Sequence, residues 1–306
     1  MIHVFVVILN WNGVSDTLEC LASLDRQQLK NIILTKVVVD NASKDNSVAI
    51  IAKKFPHIVL LQNESNIGFS AGNNKGIKYA LSSGADYIMI LNNDTITDAN
   101  LVQTLIEAMK NNKQVGIASP KIYFAKGSEF HKDRYAQKEQ GKIIWYAGGI
   151  MDWENIIGHH RGVDEVDKGQ YEKDQEIEVA TGCCMVVAKE VFSKVGLFDA
   201  RYFLYYEDSD ISIKARRAGF TALYVSKAHL WHKNASSTGG SGSDLQDYYI
   251  TRNRLLFGYQ YASLKTKIAL FKESIKLFFY GRKFQRLAVA DFYKGKMGKG
   301  SYPLKN

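Results

Sequence analysis

The stretch Ile88-Met89-Ile90-Leu91-Asn92-Asn93-Asp94-Thr95 decides the fold of this chain, because an apolar run stops abruptly at two amides and a carboxylate. Strands of open α/β sheets are apolar on both faces, and ligands bind beyond their carboxyl ends. We therefore predict a buried strand that ends at a metal- or phosphate-facing Asp94. The alternative is an Asn-Asn-Asp turn that caps a helix over residues 99–110, with Thr97 or Asp98 at its start.

Two strand–loop–helix units precede this stretch. The first has the apolar run 4–9, a polar loop, and apolar residues at helical spacing from Val14 to Leu24. The second has the run 36–39, the loop Asp40-Asn41-Ala42-Ser43 and a further helical pattern. Successive units of this kind predict an α/β fold with a Rossmann-like, mostly parallel central sheet flanked by helices.

The composition is that of a globular protein with one large domain or two modest ones. The chain has 306 residues, 46% of them apolar, and no run of 18 uncharged apolar residues. We expect residues 2–9 to form the first strand and not a signal peptide. The three cysteines, Cys20, Cys183 and Cys184, fit neither a disulfide framework nor a zinc-ligand spacing, which indicates a reducing cytoplasm.

The net charge of +9 is concentrated at the C-terminal end of the sequence. Residues 252–306 contain 13 Lys or Arg residues against two acidic residues, Glu273 and Asp291. A charge localised in this way argues against a general nucleic-acid surface, so no nucleic-acid partner is expected. It predicts one C-terminal patch that meets an acidic partner.

A loop of small residues, 63–76, runs into a helix predicted for residues 72–81. A helix N-terminus preceded by glycine is a ready anion site, because its first backbone N–H groups lack partners within the helix. The loop matches neither the Rossmann nor the P-loop fingerprint. A purely structural helix start is therefore an equally open interpretation.

Three carboxylates lie within four residues at a predicted helix N-terminus, Glu207-Asp208-Ser209-Asp210, directly after Phe203-Leu204-Tyr205-Tyr206. A strand predicted over residues 178–187 precedes them. Interaction with the helix dipole, about 0.3–1 kcal/mol per charge, does not require three carboxylates. The aromatic lead-in indicates a desolvated pocket instead.

A histidine follows the next predicted strand, 221–225. This residue, His232, precedes the Ser- and Gly-rich segment 234–242. A single histidine is more often packed than a ligand, but a flexible segment behind it is typical of a lid. Upstream, Trp145 and Trp153 either pack a hairpin or line a binding groove, and we favour packing.

Five stretches, in this order and spacing, resemble glycosyltransferase family 2, an inverting family with the GT-A fold, and within it the bacterial rhamnosyltransferase-like group. The stretches are Val7-Ile8-Leu9-Asn10-Trp11-Asn12, Val39-Asp40-Asn41-Ala42-Ser43, Asn66-Ile67-Gly68-Phe69, Leu91-Asn92-Asn93-Asp94 and Tyr206-Glu207-Asp208. The resemblance covers about residues 2–260. It implies a GT-A domain over 1–260, with a nucleotide-sugar half at about 1–120 and an acceptor half at about 121–260.

The resemblance also implies roles for single residues. Asp208 is the implied catalytic base, with Glu207 beside it, and Asp94 and His232 are the implied ligands of a divalent metal, Mg²⁺ or Mn²⁺. The implied nucleotide-sugar-binding residues, with Asn10 and Asp40 at the base, are Asn10, Asn12, Asp40, Asn66, Gly68, Asn92 and Asn93. The family's metal motif often has two or three carboxylates, whereas amides stand at two of these positions here, which weakens metal binding.

The implied activity is inverting, metal-dependent transfer of a hexose-type sugar from a nucleoside diphosphate-sugar, such as dTDP-rhamnose or a UDP-sugar. The acceptor is a hydroxyl of a glycan or lipid-linked molecule in cell-surface polysaccharide synthesis. A metal stabilises the leaving diphosphate, and one carboxylate deprotonates the attacking hydroxyl. One alternative is a sugar nucleotidyltransferase, whose basic Gly-rich signature the loop 10–13 lacks. Another is a non-catalytic nucleotide-sugar binding module, in which Glu207 and Asp208 have no role.

The segment 261–306 is predicted to be a basic, helical C-terminal extension. Its helix, residues 264–280, places six apolar residues within about 100° of a helical wheel. These apolar residues are Leu264, Ile268, Phe271, Ile275, Phe278 and Phe279. The basic residues Lys265, Lys272 and Lys276 lie beside this stripe. Such a helix either packs on the domain or binds an anionic membrane surface, which attracts basic residues by about 1 kcal/mol each. The charge favours the membrane, so we predict a cytoplasmic enzyme associated peripherally with the inner face of the cytoplasmic membrane.

Overall fold

The structure, a computed structural model, describes residues 1–234 and 242–304. Most of the lid predicted for 234–242 therefore lies outside the described residues. The strands are β1 (Ile2–Asn10), β2 (Ile32–Asp40), β3 (Val59–Gln62), β4 (Tyr87–Asn92), β5 (Thr95–Thr97), β6 (Val115–Phe124), β7 (Ile144–Tyr146), β8 (Gly149–Asp152), β9 (Ile157–His160), β10 (Gln175–Ile177), β11 (Cys184–Ala188) and β12 (Thr221–His232). The helices are α1 (Val14–Leu24), α2 (Ser47–Lys54), α3 (Gly68–Ser82), α4 (Leu101–Lys110), α5 (Lys189–Val195), α6 (Glu207–Arg217), α7 (Asp244–Tyr261), α8 (Leu264–Tyr280) and α9 (Lys283–Tyr293).

One large sheet runs through the molecule in the strand order β3-β2-β1-β4-β11-β6-β12-β10, with β5 added to β12 and β7 added to β6. Strand β1 pairs in parallel with β2 and β4, β2 with β3, and β6 with β12. Strand β11 is antiparallel to both β4 and β6. Six of the eight strands in this order therefore run the same way, and the prediction of a mostly parallel α/β sheet is confirmed.

The centre of the sheet is apolar on both faces, as helices on each side require. Residues 4–8 of β1 and 88–91 of β4 are buried in one continuous core. Helix α3 lies close to β1 because its glycines lack a Cβ. A Cβ atom on Gly76 would come within 2.4 Å of Val7, and one on Gly72 within 2.5 Å of Leu9.

The carboxyl ends of the parallel strands meet at one edge of this sheet. In the parallel ladders Asn10 lies opposite Asp40, and Leu9 lies opposite Asn92. Strand β12 reaches the same edge, where His232 lies opposite Thr95 of β5. The strand predicted to end at the Asn-Asn-Asp stretch therefore does so, and a turn followed by β5, not a helix cap, comes next.

Two predicted strands had the wrong bounds. Strand β11 begins only at Cys184, not at residue 178, because the preceding backbone bonds outside the ladder: the Gly182 N–H donates to Asp208 and the Cys183 carbonyl accepts from Asn92. Strand β12 continues past Val225 to residue 232, because its second half pairs with both β5 and β6 after a register shift.

Three helices follow the sheet and pack on one another. Helix α7 contributes Leu255 and Phe257 to a second core shared with Tyr202, which precedes α6. Helix α8 has the predicted bounds, and its buried residues are the small or polar Thr266 and Ser274 together with Leu270. The six apolar residues of the predicted stripe are all exposed. Among the described residues, the structure contains no helix that is long and apolar enough to cross a membrane.

Candidate active site

The Asp208 carboxylate lies at the start of α6 and is held by three donors. Its Oδ2 accepts from the Gly182 N–H at 3.0 Å, and its Oδ1 accepts from the backbone N–H and the hydroxyl of Ser209 at 2.6 and 3.2 Å. Burial raises the pKa of Asp208, while these donors oppose the increase. The carboxylate is thus both partly desolvated and fixed in direction, as a general base requires.

The neighbouring Glu207 has a different environment. Its side chain is buried, and its Oε2 has no hydrogen-bond partner among the described residues. Burial and, next, the charge of Asp208 raise the pKa of Glu207 well above its usual range. Two adjacent carboxyls with different partners divide the protonation states between them. Burial and the charge of Asp208 thus favour the protonated form of Glu207, whereas the three donors on Asp208 favour its carboxylate form.

A cavity of about 210 Å³ opens onto Asp208. Its walls come from the β8–β9 hairpin, the segment 179–181, the start of α6, and α7. Residues that line it include Tyr146, Ile150, Ile157, Thr181, Tyr206 and Ile250. Glu207 is not among the residues that line it. Of the two predicted catalytic carboxyls, only Asp208 faces a space that a substrate can enter.

Asp94 and His232 meet at the carboxyl edge of the sheet, although they are far apart in sequence. Asp94 Oδ1 lies 3.2 Å from His232 Nε2, and both side chains are buried. Burial by itself lowers the pKa of His232, but Cys183 and Asp94 beside the ring outweigh it and raise the pKa to about 10. Trp145 packs edge-on against the His232 ring, with ring centroids 4.7 Å apart.

This corner fits a divalent cation in its donor chemistry. A carboxylate oxygen and an imidazole nitrogen are both ligands of divalent metals, and neighbouring octahedral ligands about 2.1 Å from one ion lie roughly 3 Å apart. The 3.2 Å between Asp94 and His232 matches that spacing. Within residues 1–234 and 242–304 no group of three or more acidic, His or Cys side chains could hold a metal. Further ligands would have to come from a bound diphosphate and water.

The short segment Thr181-Gly182-Cys183 connects the two acidic positions. The Gly182 N–H donates to Asp208, and the carbonyl of Cys183 accepts from the Asn92 N–H at 2.9 Å. The Cys183 side chain lies beside His232. The three consecutive residues 181–183 thus connect Asp208 to the Asp94–His232 pair. No sequence motif singled them out.

The ends of β1 and β2 are joined by buried side chains. Asn10 Nδ2 donates to Asp40 Oδ1 at 2.8 Å and to the Ser43 hydroxyl at 3.0 Å, while Asn10 Oδ1 accepts from Thr17. Asp40 Oδ2 accepts from the Ser43 N–H. Asn10 is fully buried, so it shapes the two loops from inside. The exposed Asn12 accepts from the Lys44 N–H and connects the same loops at the surface.

A second amide network surrounds Asn66 and Gly68. The Asn66 side-chain oxygen accepts from Asn41 Nδ2 at 2.8 Å and from the Gly68 N–H at 2.9 Å. Asn41 also receives hydrogen bonds from Asn63 and from the Ile67 backbone. The sequence pattern did not single out Asn41 as a site residue, although it lies within the stretch Val39-Asp40-Asn41-Ala42-Ser43. The signal was its place directly after Asp40 at a strand end.

Asn92 and Asn93 differ in what they present. The Asn92 backbone bonds to Cys183 and Thr95, which fixes the turn that carries Asp94. Asn93 Nδ2 donates to the Thr17 hydroxyl at 3.0 Å, so this amide ties the turn to α1. In this way the structure gathers the predicted donor-side residues at one edge of the sheet. It places Asp208 and the cavity at the adjoining side.

Comparison with solved structures gives the fold. A crystal structure of GalNAc-T7 with UDP, GalNAc and Mn²⁺ matches with a TM-score of 0.59 at 15% identity, over 90% of this chain and 57% of the other. The mannosyltransferase PcManGT from Pyrobaculum calidifontis, in complex with GDP-Man and Mn²⁺, matches with a TM-score of 0.56 at 15% identity, over 98% of this chain and 76% of the other. The chain therefore has the GT-A glycosyltransferase fold.

Sequence relatives come from bacteria and archaea. The N-acetylglucosaminyl-diphospho-decaprenol L-rhamnosyltransferase of Mycobacterium tuberculosis is 25% identical over 66% of this chain and 67% of its own length. The dTDP-rhamnosyl transferase RfbF of Shigella flexneri is 24% identical over 83% and 79%. The low-salt glycan biosynthesis hexosyltransferase Agl10 of Haloferax volcanii is 24% identical over 72% and 66%.

The sequence model of glycosyl transferase family 2 matches residues 5–196. That range contains most of the large sheet and every predicted site residue except Glu207, Asp208 and His232. It covers well over half of the chain and contains four of the five motif stretches, all except Tyr206-Glu207-Asp208. The protein is a glycosyltransferase, and the chain belongs to glycosyl transferase family 2.

Proposed function

We propose that the protein transfers a sugar, with inversion, from a nucleoside diphosphate-sugar to a hydroxyl of a glycan or lipid-linked acceptor in cell-surface polysaccharide synthesis. The observation that carries the proposal is the position of Asp208 at the cavity, three residues of backbone away from the Asp94–His232 corner. Relatives named as rhamnosyltransferases support dTDP-rhamnose as the first donor to test, with UDP-sugars next.

The nucleotide-sugar would lie along the carboxyl edge, in the half formed by about residues 1–120. Asn10 and Asp40 hold the loops that shape the base pocket, and Asn66 and Gly68 form the start of α3 beside it. Asp94 and His232 would hold a divalent cation, Mg²⁺ or Mn²⁺, on the diphosphate. When bound, such an ion stabilises the negative charge of the leaving diphosphate.

Asp208 would deprotonate the acceptor hydroxyl as that oxygen attacks the anomeric carbon from the face opposite the leaving group. A single displacement of this kind inverts the anomeric centre. Glu207 does not line the cavity, so it does not compete for the role. The three donors on Asp208 keep the carboxylate aimed while its burial favours accepting the proton.

The acceptor would occupy the half formed by about residues 121–260. Three isoleucines at the cavity are at least one-third exposed: Ile150 and Ile157 on the hairpin and Ile250 on α7. Apolar side chains beside a catalytic carboxylate suit an acceptor whose sugar is joined to an apolar group. They support a lipid-linked acceptor over a free oligosaccharide.

The C-terminal extension, residues 261–306, would bring the enzyme to such an acceptor. Helix α8 packs on the domain through Thr266, Leu270 and Ser274, so its apolar stripe points outward. The exposed Lys265, Lys272 and Lys276 flank the stripe. An apolar face with basic flanks suits the interface of an anionic bilayer. We therefore place the protein at the inner face of the cytoplasmic membrane.

A donor screen tests the proposed activity. The protein is incubated with dTDP-rhamnose and with UDP- and GDP-sugars, each with Mg²⁺ or Mn²⁺, with and without a polyprenyl-diphosphate-linked sugar acceptor. We expect nucleotide diphosphate release that depends on metal and is accelerated by acceptor. Proton NMR of the product should show an inverted anomeric centre. A retained configuration, or no release from any donor, would contradict the proposal.

A further inference from the structure

The loop that leads into α6 has an unusual backbone. Phe203, Tyr205 and Tyr206 adopt left-handed conformations with φ of 64°, 69° and 75°, although none is a glycine. Residues other than glycine rarely adopt left-handed φ values. Several such residues close together persist only where surrounding contacts impose this backbone conformation. Tyr206 immediately precedes Glu207 and Asp208. The orientation of the Asp208 carboxylate therefore depends on the contacts that hold this loop.

The contacts that impose the conformation come from one buried side chain on α7. Asn253 Nδ2 donates to the carbonyls of Tyr202 at 2.7 Å, Leu204 at 2.7 Å and Tyr205 at 2.9 Å. Asn253 is fully buried and lies about 50 residues further along the chain. An amide NH₂ group has two protons, so three carbonyls converge on one donor group.

The carbonyl of Phe203, in the same loop, points away from Asn253 and towards the start of α3. Phe203 O accepts from the backbone N–H groups of Phe69 at 2.6 Å and Ser70 at 3.3 Å, at the start of α3. Gly68 precedes them and touches Phe203 so closely that a Cβ there would lie 2.5 Å from its ring. The loop held by Asn253 therefore touches both the donor side, at Asn66 and Gly68, and the base side, at Asp208.

Arg252 holds Asn253 in turn. Its guanidinium is fully buried and donates to Asn253 Oδ1 at 3.0 and 3.1 Å. It also donates to the carbonyls of Arg201 and Tyr202, at the start of the loop, and to the carbonyl of Gly298, which follows α9. The Asn253 amide is thus locked in one orientation, with its oxygen on Arg252 and its nitrogen on the loop.

We propose that Asn253 is a positioning residue for glycosyl transfer, which holds the loop 202–206 so that Asp208 and the start of α3 keep a fixed relative geometry. It acts through the loop and does not touch substrate. The proposal rests on the proposed role of Asp208 as the base. It assigns to a helix outside the residues matched by the family model a part in arranging the chemistry.

Two substitutions separate this role from mere packing. Asn253→Ala removes both the donor and the acceptor. Asn253→Asp keeps the size and the oxygen that Arg252 requires, but it removes the N–H donor that holds the loop. If the residue served only to satisfy Arg252, Asp would restore the wild-type behaviour; if it holds the loop, Asp would fail.

The matched control is Tyr248→Phe on the same helix. The Tyr248 hydroxyl bonds to the Asp291 carboxylate and the Ser301 N–H, on the side of α7 that faces the end of the chain. Tyr248 is as buried as Asn253. This variant therefore also loses a buried hydrogen bond, but it keeps the ring that packs beside Arg252, and neither partner of the lost bond belongs to the loop 202–206.

The first measurement is amide hydrogen exchange of the full-length protein without substrate, which needs no active donor. In both Asn253 variants we expect faster exchange at 201–206 and at the starts of α3 and α6, with β1 and β4 still protected. Tyr248→Phe should show wild-type exchange in these stretches. The second measurement is kcat with the donor found in the screen, which should fall about 100-fold, as for an ångström-scale misplacement. Binding of UDP with Mn²⁺, measured by calorimetry, should weaken much less than kcat falls, because most of the proposed nucleotide contacts lie at the ends of β1, β2 and β4.

Each outcome decides between the possibilities. Wild-type exchange, or altered exchange with wild-type kcat, overturns the proposal, and so does recovery of both by Asn253→Asp. Loss of the cooperative thermal transition in both Asn253 variants would assign the residue to stability alone and also overturn it. Inactivity of the wild type with every donor would instead refute the proposed function, and the exchange data would still show whether Asn253 holds the loop.

Discussion

Two regions of the molecule depart in opposite ways from the usual distribution of polar and apolar side chains. At the carboxyl edge of the sheet, Asn10, Asp40, Asp94 and His232 are buried, with exposed fractions of 0 to 8%. On the outer face of α8, Leu264 and the other five stripe residues are 45 to 75% exposed. Buried polar groups and exposed apolar patches are the two departures that carry information about function.

The two regions differ in where the interaction partners of their side chains lie. The polar groups of the edge bond to one another across loops that are far apart in sequence, such as Asn10 to Asp40 and Ser43. A network of that kind is rigid and is formed before any ligand arrives. The stripe of α8, by contrast, projects away from the face that packs on the domain. The polar groups of the first region find partners within the chain, whereas the apolar side chains of the second are exposed.

The largest effect is expected at the base. Asp208→Asn keeps the shape of the side chain but cannot accept a proton, so kcat should fall about 10²–10⁴-fold. Calorimetry with UDP or dTDP should show nearly unchanged binding, because the proposed nucleotide contacts lie at the edge formed by β1, β2 and β4. The wild-type kcat should also fall as the pH drops through the pKa of Asp208, which burial raises above its usual value, because only the carboxylate is a base.

Glu207→Gln is the control for that substitution. Burial raises the pKa of Glu207, and this side chain does not line the cavity, so an uncharged amide of the same length should leave most of the activity. A variant Asp208→Asn with wild-type turnover would remove Asp208 from the proposed mechanism, as would a Glu207→Gln variant that loses as much activity.

A smaller effect is expected at the metal corner. Asp94→Ala and His232→Ala each remove one of the two proposed protein ligands, so the Mn²⁺ concentration for half-maximal activity should rise about 10–100-fold, the range seen even for outer-shell partners. Electron paramagnetic resonance of Mn²⁺ in the presence of UDP measures the same loss without turnover. A matched Asp–His pair lies nearby: Nε2 of His229, also on β12, lies 3.5 Å from Asp98 Oδ2, and both side chains are more exposed.

His229→Ala is therefore the control, and it should leave the metal requirement unchanged. An equal shift in His229→Ala and His232→Ala would mean that the strand, and not the ligand, had been damaged. An unchanged titration in His232→Ala would return His232 to a packing role against Trp145.

The sequence predicted some features of the carboxyl edge of the sheet and of α8, but not others. Strand ends such as Asn92 and the bounds of α8 followed from local apolar periodicity, which is a property of neighbouring residues. Trp153 stacks on Phe257 of α7 and also lines a cavity, so packing in preference to a binding groove stays a prediction for this residue. The roles of Gly182 and Asn253 did not follow, because each acts through a partner 26 to 51 residues away.

The same limit explains the misplaced end of β12. The apolar pattern weakens after Val225, and the register shift there hides the continuation to His232. Pairing with β6 and with β5, which is itself three residues long, extends the strand to the Asp94–His232 pair. Such non-local pairing is set by the whole sheet and leaves no periodic signal in the sequence.

The next prediction tests the outer face of α8 directly. Flotation with liposomes containing anionic lipid should show salt-sensitive binding of the full chain. Phe271→Ser should weaken it about 10-fold, since burying a side chain of this size contributes at least 1.5 kcal/mol. Ile33→Ser on β2, an apolar residue that is also exposed, is the control and should bind as the wild type does. Point variants are preferable to truncation near Tyr261, because the end of the chain bonds to buried Arg252.

Binding that Phe271→Ser leaves intact would exclude the stripe as the contact. Binding that persists at high salt would exclude the lysines as contributors. Absence of binding by the full chain would refute the membrane proposal as a whole.

The smallest effect concerns stability, and it separates the two faces of one helix. Phe271→Ser should change the free energy of unfolding by no more than about 0.5 kcal/mol, as for other surface substitutions, because the ring has few contacts to lose. Leu270 is buried against Gly258 of α7, which it approaches closely because a glycine stands there. Leu270→Ala should therefore cost about 2–5 kcal/mol. Urea unfolding followed by circular dichroism measures both. If Phe271→Ser destabilised the isolated protein as much as Leu270→Ala does, the stripe would already be packed in solution and would not be free to meet a bilayer.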